Sequence, residues 1–287
     1  MPWHRAVLRS MRPRQWAKNG LVVAAPLSAA AFDSVSVYGT VVATFFAFTL
    51  AASAVYLLND VRDRDSDRLH PVKRLRPVAA GLLSTRSALT VGAALAVASL
   101  ALAWVIEPDL GVTVSFYIAL QVAYAVWLKH QAVLDIAVVA SGFLLRAIAG
   151  GVAVGVPLSQ WFLLVAGFGS LFVVAGKRFS ELHTVGVEQG TRRSLSAYSE
   201  SYLRFVWSIA AAVTITAYSL WAFEISGDEG INWQALSIAP FTLGLLRYAV
   251  DIDRGVAGEP EEVIIGDHTL QALALVWLGL FVLGVQS

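Results

Sequence analysis

Residues 37–67 read VYGTVVATFFAFTLAASAVYLLNDVRDRDSD. The first 22 of them, 37–58, carry no charge, and a hydrocarbon layer is crossed by roughly 20 apolar helical residues. The chain then turns abruptly polar: Asn59, Asp60, Asp63 and Asp67 alternate with Arg62 and Arg64. With no water to satisfy its backbone, a chain crosses a bilayer as a helix or as part of a closed barrel. A long unbroken apolar run predicts the helix. The stretch therefore predicts an all-α membrane protein with a cluster of carboxylates at the mouth of one span.

The rest of the chain extends that reading. Of 287 residues, 57% are hydrophobic and only 14% are charged, where a soluble domain carries about a quarter charged. Nine apolar segments are spaced along it: 19–32, 37–58, 88–106, 112–128, 132–154, 160–175, 203–223, 233–250 and 268–285. The first and sixth are short. No linker or internal repeat divides them, so residues 1–287 are expected to form a single nine-helix bundle around a central cavity. With no cysteine, disulfides, thiolate metal sites and thiol nucleophiles are excluded.

Lysine and arginine mark the sides. If all nine segments cross, 20 of the 21 basic residues fall on one side, before the first segment, in alternate connections or at the segment ends bordering them, the pattern of a positive cytoplasmic face. The other connections carry Glu107, Asp109, Asp228 and Glu229 instead. The N-terminus is expected in the cytoplasm and the C-terminus outside a cell membrane. Three long connections, 59–87, 176–202 and 251–267, then lie on the cytoplasmic side, and long loops in a compact domain carry function.

Asp60, Asp63 and Asp67 stand at i, i+3 and i+7, one face of a continuing helix. Mg²⁺ takes oxygen ligands, usually one or two carboxylates with substrate phosphates completing the shell. Asn59, Asp60, Asp63 and Asp67 are thus candidate Mg²⁺ ligands, and Lys73, Arg74 and Arg76 are candidate phosphate ligands. The plain alternative is a solvated charged loop. Arg146 is the one base deep within an apolar segment, and such a residue is a functional candidate by default. It lies three helical turns from Asp135, on the same face. Arg146 could instead serve a buried structural pair.

The pattern of Asn59, Asp60, Asp63 and Asp67, followed by KRLRPVAAG at 73–81, resembles the first signature of the UbiA superfamily of intramembrane prenyltransferases. The resemblance covers nearly the whole chain. It implies a helical bundle with a central cavity, and Mg²⁺-dependent transfer involving a polyprenyl substrate. Most members carry a second aspartate-rich motif after the sixth helix. Here that position reads GKRFSELH at 176–183, with Lys177, Arg178 and Glu181 in place of an aspartate cluster. Together with MRPRQWAKN at 11–19 and AGEPE at 257–261, this resembles the branch of the superfamily that moves 5-phosphoribosyl from phosphoribosyl pyrophosphate (PRPP) to a polyprenyl (decaprenyl) phosphate for cell-wall arabinan synthesis.

What that resemblance implies is a catalytic set of Asp60, Asp63, Arg146 and Lys177. Lys18, Asn59, Asp67, Lys73, Arg74, Arg76, Lys129, Asp135, Arg178, Glu181 and Tyr198 would bind substrate. The expected partners are PRPP, the lipid phosphate and the bilayer, with no nucleic acid and with homo-oligomers allowed. Two rivals stand beside it. One is a conventional prenyltransferase of the superfamily, using a prenyl diphosphate and an aromatic or other small acceptor. The other is a transporter using Arg146 and the acids as an ion path.

Overall fold

A computed structural model describes residues 1–185, 195–225 and 231–286. Arg192, Arg193, Asp228 and Glu229, used above to assign the sides, lie outside the described residues. The described residues form twelve α-helices, four short or 3₁₀ connections and no strand. In order the helices are α1 (Trp3–Ser10), α2 (Ala24–Ser28), α3 (Val35–Arg62), α4 (Arg64–Leu69), α5 (Thr85–Ile106), α6 (Pro108–Val126), α7 (Leu134–Ala153), α8 (Gln160–Val185), α9 (Glu200–Glu224), α10 (Trp233–Asp253), α11 (Pro260–Gly266) and α12 (His268–Gln286).

Seven of these, α3 and α5 to α10, are long and apolar enough to cross a membrane, and α11 with α12 forms an eighth candidate span bent by 90°. This is a multi-pass, all-helical membrane protein. Local chemistry sets the helix ends. Ser84, Ser199 and Asn232 each accept a hydrogen bond from the backbone N–H three residues on, satisfying a donor the helix leaves orphaned. Pro108 opens α6, where its missing N–H costs nothing.

The first apolar segment departs from expectation. It is a 3₁₀ stretch, Pro13–Val23, running into the five residues of α2. Pro13 and Pro26 lack backbone donors, and Arg12 enters the stretch in the left-handed region at φ 54°, so no regular helix spans it. It is held instead by side chains. Asn19 Nδ2 donates to Thr49 Oγ1 at 3.0 Å, and Ser53 Oγ to the Met11 carbonyl at 3.4 Å.

The chain divides into two compact units. The first comprises Met1–Gln131 and Leu145–Pro157. Its core packs α3 against α5 and α6 around Phe48, Leu110, Val114 and Tyr117. Small residues allow the close approach: Ser99 Oγ on α5 donates to the Ala47 carbonyl of α3 at 2.7 Å. A Cβ at Gly150 would sit 1.7 Å from the Val22 carbonyl oxygen, so glycine alone lets α7 lie against the 3₁₀ stretch. The second unit comprises Ala132–Leu144 and Leu158–Ser287. In it α8 packs along α9 and α10 along α12, around Phe172, Phe179, Leu203 and Ile252.

Candidate active site

In the first unit, α3 delivers the acidic cluster. Asp60 lies in its last turn and is buried. Asp63 closes the helix at φ −94° and ψ 4°. The Asp67 amide donates to the Asp63 carbonyl at 2.7 Å, so α4 continues the helical path after one break. Asp67 is buried as well. Two of the three carboxylates are brought together on Arg76, whose NH1 lies 2.7 Å from Asp67 Oδ2 and 3.6 Å from Asp60 Oδ1.

Each carboxylate carries a cation. Arg12 is ion-paired with Asp60, Arg76 with Asp67, and Lys129 with Asp63. The Arg12 guanidinium also lies 4.8 Å from the centre of the Tyr56 ring. Asn59 and Lys18 are half-buried, Lys73 is half-buried and Arg74 is exposed. The basic run is shaped by His70, whose Nδ1 accepts from the Val72 and Lys73 amides at 3.2 and 3.3 Å. Burial, and then the charge of Lys73, hold His70 below its usual value of 6.5, and a neutral ring is what accepts at Nδ1.

Among the described residues no three His, Asp or Glu side chains converge as a metal cage. The donors are nonetheless the hard oxygens that Mg²⁺ prefers. A site of one or two carboxylates completed by substrate phosphate needs no cage, so the residues present fit a Mg²⁺-diphosphate group.

Arg146, on α7, is buried in the same unit. Its Nε donates to Asn19 Oδ1 at 2.7 Å and its NH2 to the Tyr117 hydroxyl at 2.9 Å. Its guanidinium lies 4.9 Å from the Tyr117 ring centre. Along α7, Arg146 engages an amide and a phenol, and Asp135 engages Arg178 and Tyr198.

In the second unit Asp135 is fully buried at the start of α7. Arg178 Nε lies 3.3 Å from Asp135 Oδ2, and its NH1 donates to Glu181 Oε2 at 2.7 Å. Tyr198 donates to Asp135 Oδ1, and its hydroxyl accepts from the Val133 amide at 2.6 Å. Desolvation by burial, with the bond to Asp135, pushes the Tyr198 phenol up from its usual value of 10. Lys177 Nζ lies 3.1 Å from Glu259 Oε1. Glu259 belongs to the acidic connection and, with Glu181, Asp251, Glu262, Asp267 and Arg247, lines a cavity of about 770 Å³. Arg247 is held there by Asp251 at 3.3 Å and Asp267 at 2.7 Å.

Sequence reasoning missed Arg12, Tyr117 and Glu259. Their contacts join residues 48, 29 and 82 apart, so no local spacing announces them. Arg12 had one signal, its place in the MRPRQWAKN stretch.

Comparison with known proteins agrees with this picture. The chain is 53% identical over 277 residues to decaprenyl-phosphate phosphoribosyltransferase of Mycobacterium tuberculosis (strain H37Rv), covering 95% of this chain and 91% of that one. It is 45% identical over 289 residues to the protein of the same name from Corynebacterium glutamicum, covering 97% and 86%. Among solved structures, a UbiA homolog from Archaeoglobus fulgidus bound to DMAPP and Mg²⁺ superposes with a TM-score of 0.75 at 17% identity, covering 98% of this chain and 99% of that one. A digeranylgeranylglyceryl phosphate synthase superposes with a TM-score of 0.71 at 16% identity, covering 99% of both. The model of the UbiA prenyltransferase family matches residues 20–264. The chain belongs to the UbiA prenyltransferase family, and it is a transferase.

Proposed function

We propose that this protein transfers the 5-phosphoribosyl group of PRPP to a polyprenyl phosphate, decaprenyl phosphate in the first instance, releasing pyrophosphate and feeding arabinan precursor synthesis. The observation that carries the proposal is 53% identity, across 95% of the chain, with a relative whose name states decaprenyl phosphate and phosphoribosyl transfer. Lys177, Arg178 and Glu181 support it, because cations at that position suit a second phosphorylated substrate.

The chemistry asks little of a general base. A lipid phosphate is already an anion at neutral pH. Its oxygen forms a bond to ribose C1 while the bond from C1 to the pyrophosphate oxygen breaks, and the electron pair leaves with pyrophosphate. Attack opposite the leaving group inverts C1. Asp60, Asp63 and Asp67, with Asn59, would hold Mg²⁺. When bound, the metal supplies positive charge to the departing pyrophosphate. In the proposal Arg76, Lys129, Lys73 and Arg74 turn to phosphate oxygens, charge-assisted bonds that Arg makes bidentately. Lys177 and Arg178 hold the 5-phosphate or the lipid phosphate. The proposed orientation puts the N-terminus and these groups in the cytoplasm.

The test is incubation of the detergent-solubilised protein with labelled PRPP, Mg²⁺ and decaprenyl phosphate. Label is expected in the organic phase only when all three are present. No transfer from PRPP, with transfer from a prenyl diphosphate to a small aromatic acceptor instead, would overturn the proposal in favour of the conventional reaction. In the same assay Asp60→Ala and Asp63→Ala are each expected to lose at least about a hundredfold in rate, the scale of removing one preorganised electrostatic group. Activity near wild type in either sinks the metal assignment.

A further inference from the structure

Val133 has φ 70°. A β-branched residue is an outlier in the left-handed region, and such strain persists only where the surroundings hold it. What holds it here is the Tyr198 hydroxyl. It accepts from the Val133 amide at 2.6 Å and donates to Asp135, whose other oxygen lies 3.3 Å from Arg178 Nε. Val133, Tyr198, Asp135 and Arg178 thus form one chain of bonds within the second unit. The Tyr198 ring is held in turn, stacked 5.6 Å from Tyr202 with the planes 8° apart. Ser199, the next residue, caps α9. Asp135 and Tyr198 are both buried, so neither oxygen exchanges its partner for bulk water.

We propose that Tyr198 is a positioning residue: its hydroxyl ties the strained Val133 turn to Asp135 and so fixes the Arg178 guanidinium on which a substrate phosphate binds. The assignment of Arg178 to a phosphate rests on the proposed function. The link from Val133 through Tyr198 to Asp135 does not. Arg178 is already clamped by Asp135 and Glu181, so its plane is set before substrate arrives. Losing the tyrosine hydroxyl deprives Asp135 of a donor and Val133 of its acceptor together, and the guanidinium loses its fixed direction.

The experiment compares wild type, Tyr198→Phe, Val133→Gly, Asp135→Asn and the double variant Tyr198→Phe/Val133→Gly. It reads thermal stability in detergent and KM and kcat for both phosphorylated substrates. Tyr198→Phe is expected to lower Tm and to raise KM for PRPP or for the lipid phosphate about tenfold, the equivalent of about 1.4 kcal/mol. kcat should stay within about twofold of wild type, since orientation of a binding group is lost and not a reacting one. Whichever substrate shows the rise is the one Arg178 holds. Val133→Gly alone should behave as wild type. In its background the Tyr198→Phe loss of Tm should shrink, because glycine adopts positive φ without strain. Asp135→Asn should reproduce the KM rise, and it answers the question if Tyr198→Phe fails to fold. Unchanged KM in Tyr198→Phe or Asp135→Asn, a fall confined to kcat, or no rescue of Tm by glycine would overturn the proposal. The Tm comparison needs no substrate. A wild-type protein inactive with PRPP would therefore sink the proposed function while leaving the tyrosine link to be judged by stability.

Discussion

Single residues show how this chain manages charge beside an apolar interior. Arg146 has its Nε and NH2 bonded to Asn19 and Tyr117, so a buried cation rests on neutral acceptors and an aromatic face. Lysine cannot reproduce that planar fork. Arg146→Lys is expected to destabilise the protein by about 2–3 kcal/mol, the cost of leaving buried polar partners unmade, and thermal unfolding in detergent measures it. A Tm equal to wild type would show that the fork matters little. His70 gives a pH prediction. Its folded value is held below 6.5 by burial and by Lys73, so the stability it contributes is complete above 6.5 and is lost as pH falls through the lower folded value. Acidification below 6.5 should therefore loosen the turn at 70–73 and raise KM for PRPP, and His70→Ala should flatten that dependence. The aspartates were legible because their spacing is local. Arg12, the partner of Asp60, was not, because two segments 48 residues apart in sequence must fold together to make the pair.

At the scale of elements, eight of the nine apolar segments correspond to long helices, since composition alone decides them. The first failed as a helix because prolines and a left-handed Arg12 govern its backbone more strongly than its apolar content does. We propose that it crosses all the same. Met11 lies beside Ser53, Asn19 beside Thr49, and the Phe32 ring 5.0 Å from Tyr38, so the stretch runs antiparallel along α3 from one end to the other. Eleven 3₁₀ residues and five α-helical ones, at about 2.0 and 1.5 Å of rise each, extend roughly 30 Å, the thickness of the hydrocarbon layer. The stretch depends on Gly150. Gly150→Ala drives a methyl into the Val22 backbone and is expected to cost about 1–3 kcal/mol. Gly92→Ala, whose Cβ would lie 3.4 Å from the Ala54 carbonyl oxygen, should cost much less. Equal Tm values for the two variants would contradict the argument.

For the whole molecule the question is sidedness, and it turns on whether the irregular first stretch crosses. Basic residues at 5–18 and at 62–86 flank the 3₁₀ stretch and α3. Both clusters can face the cytoplasm only if the chain crosses twice between them. α3 is one crossing. The pairing of Arg12 with Asp60 brings the two clusters to the same end of α3, which requires the stretch before α3 to be the other. With the seven long helices and the bent pair of α11 and α12 among the described residues, this stretch would bring the expected crossings to nine, an odd number. On that count the termini are expected on opposite sides, with the N-terminus inside by the lysine and arginine pattern. A reporter active only outside the membrane, fused after residue 286, is expected to be active, and the same reporter at the N-terminus silent. Activity at neither end would mean an even count, with either the 3₁₀ stretch dipping in and returning or the bent pair failing to cross. A further fusion between residues 29 and 34 separates these, because only a true first crossing exposes that connection outside.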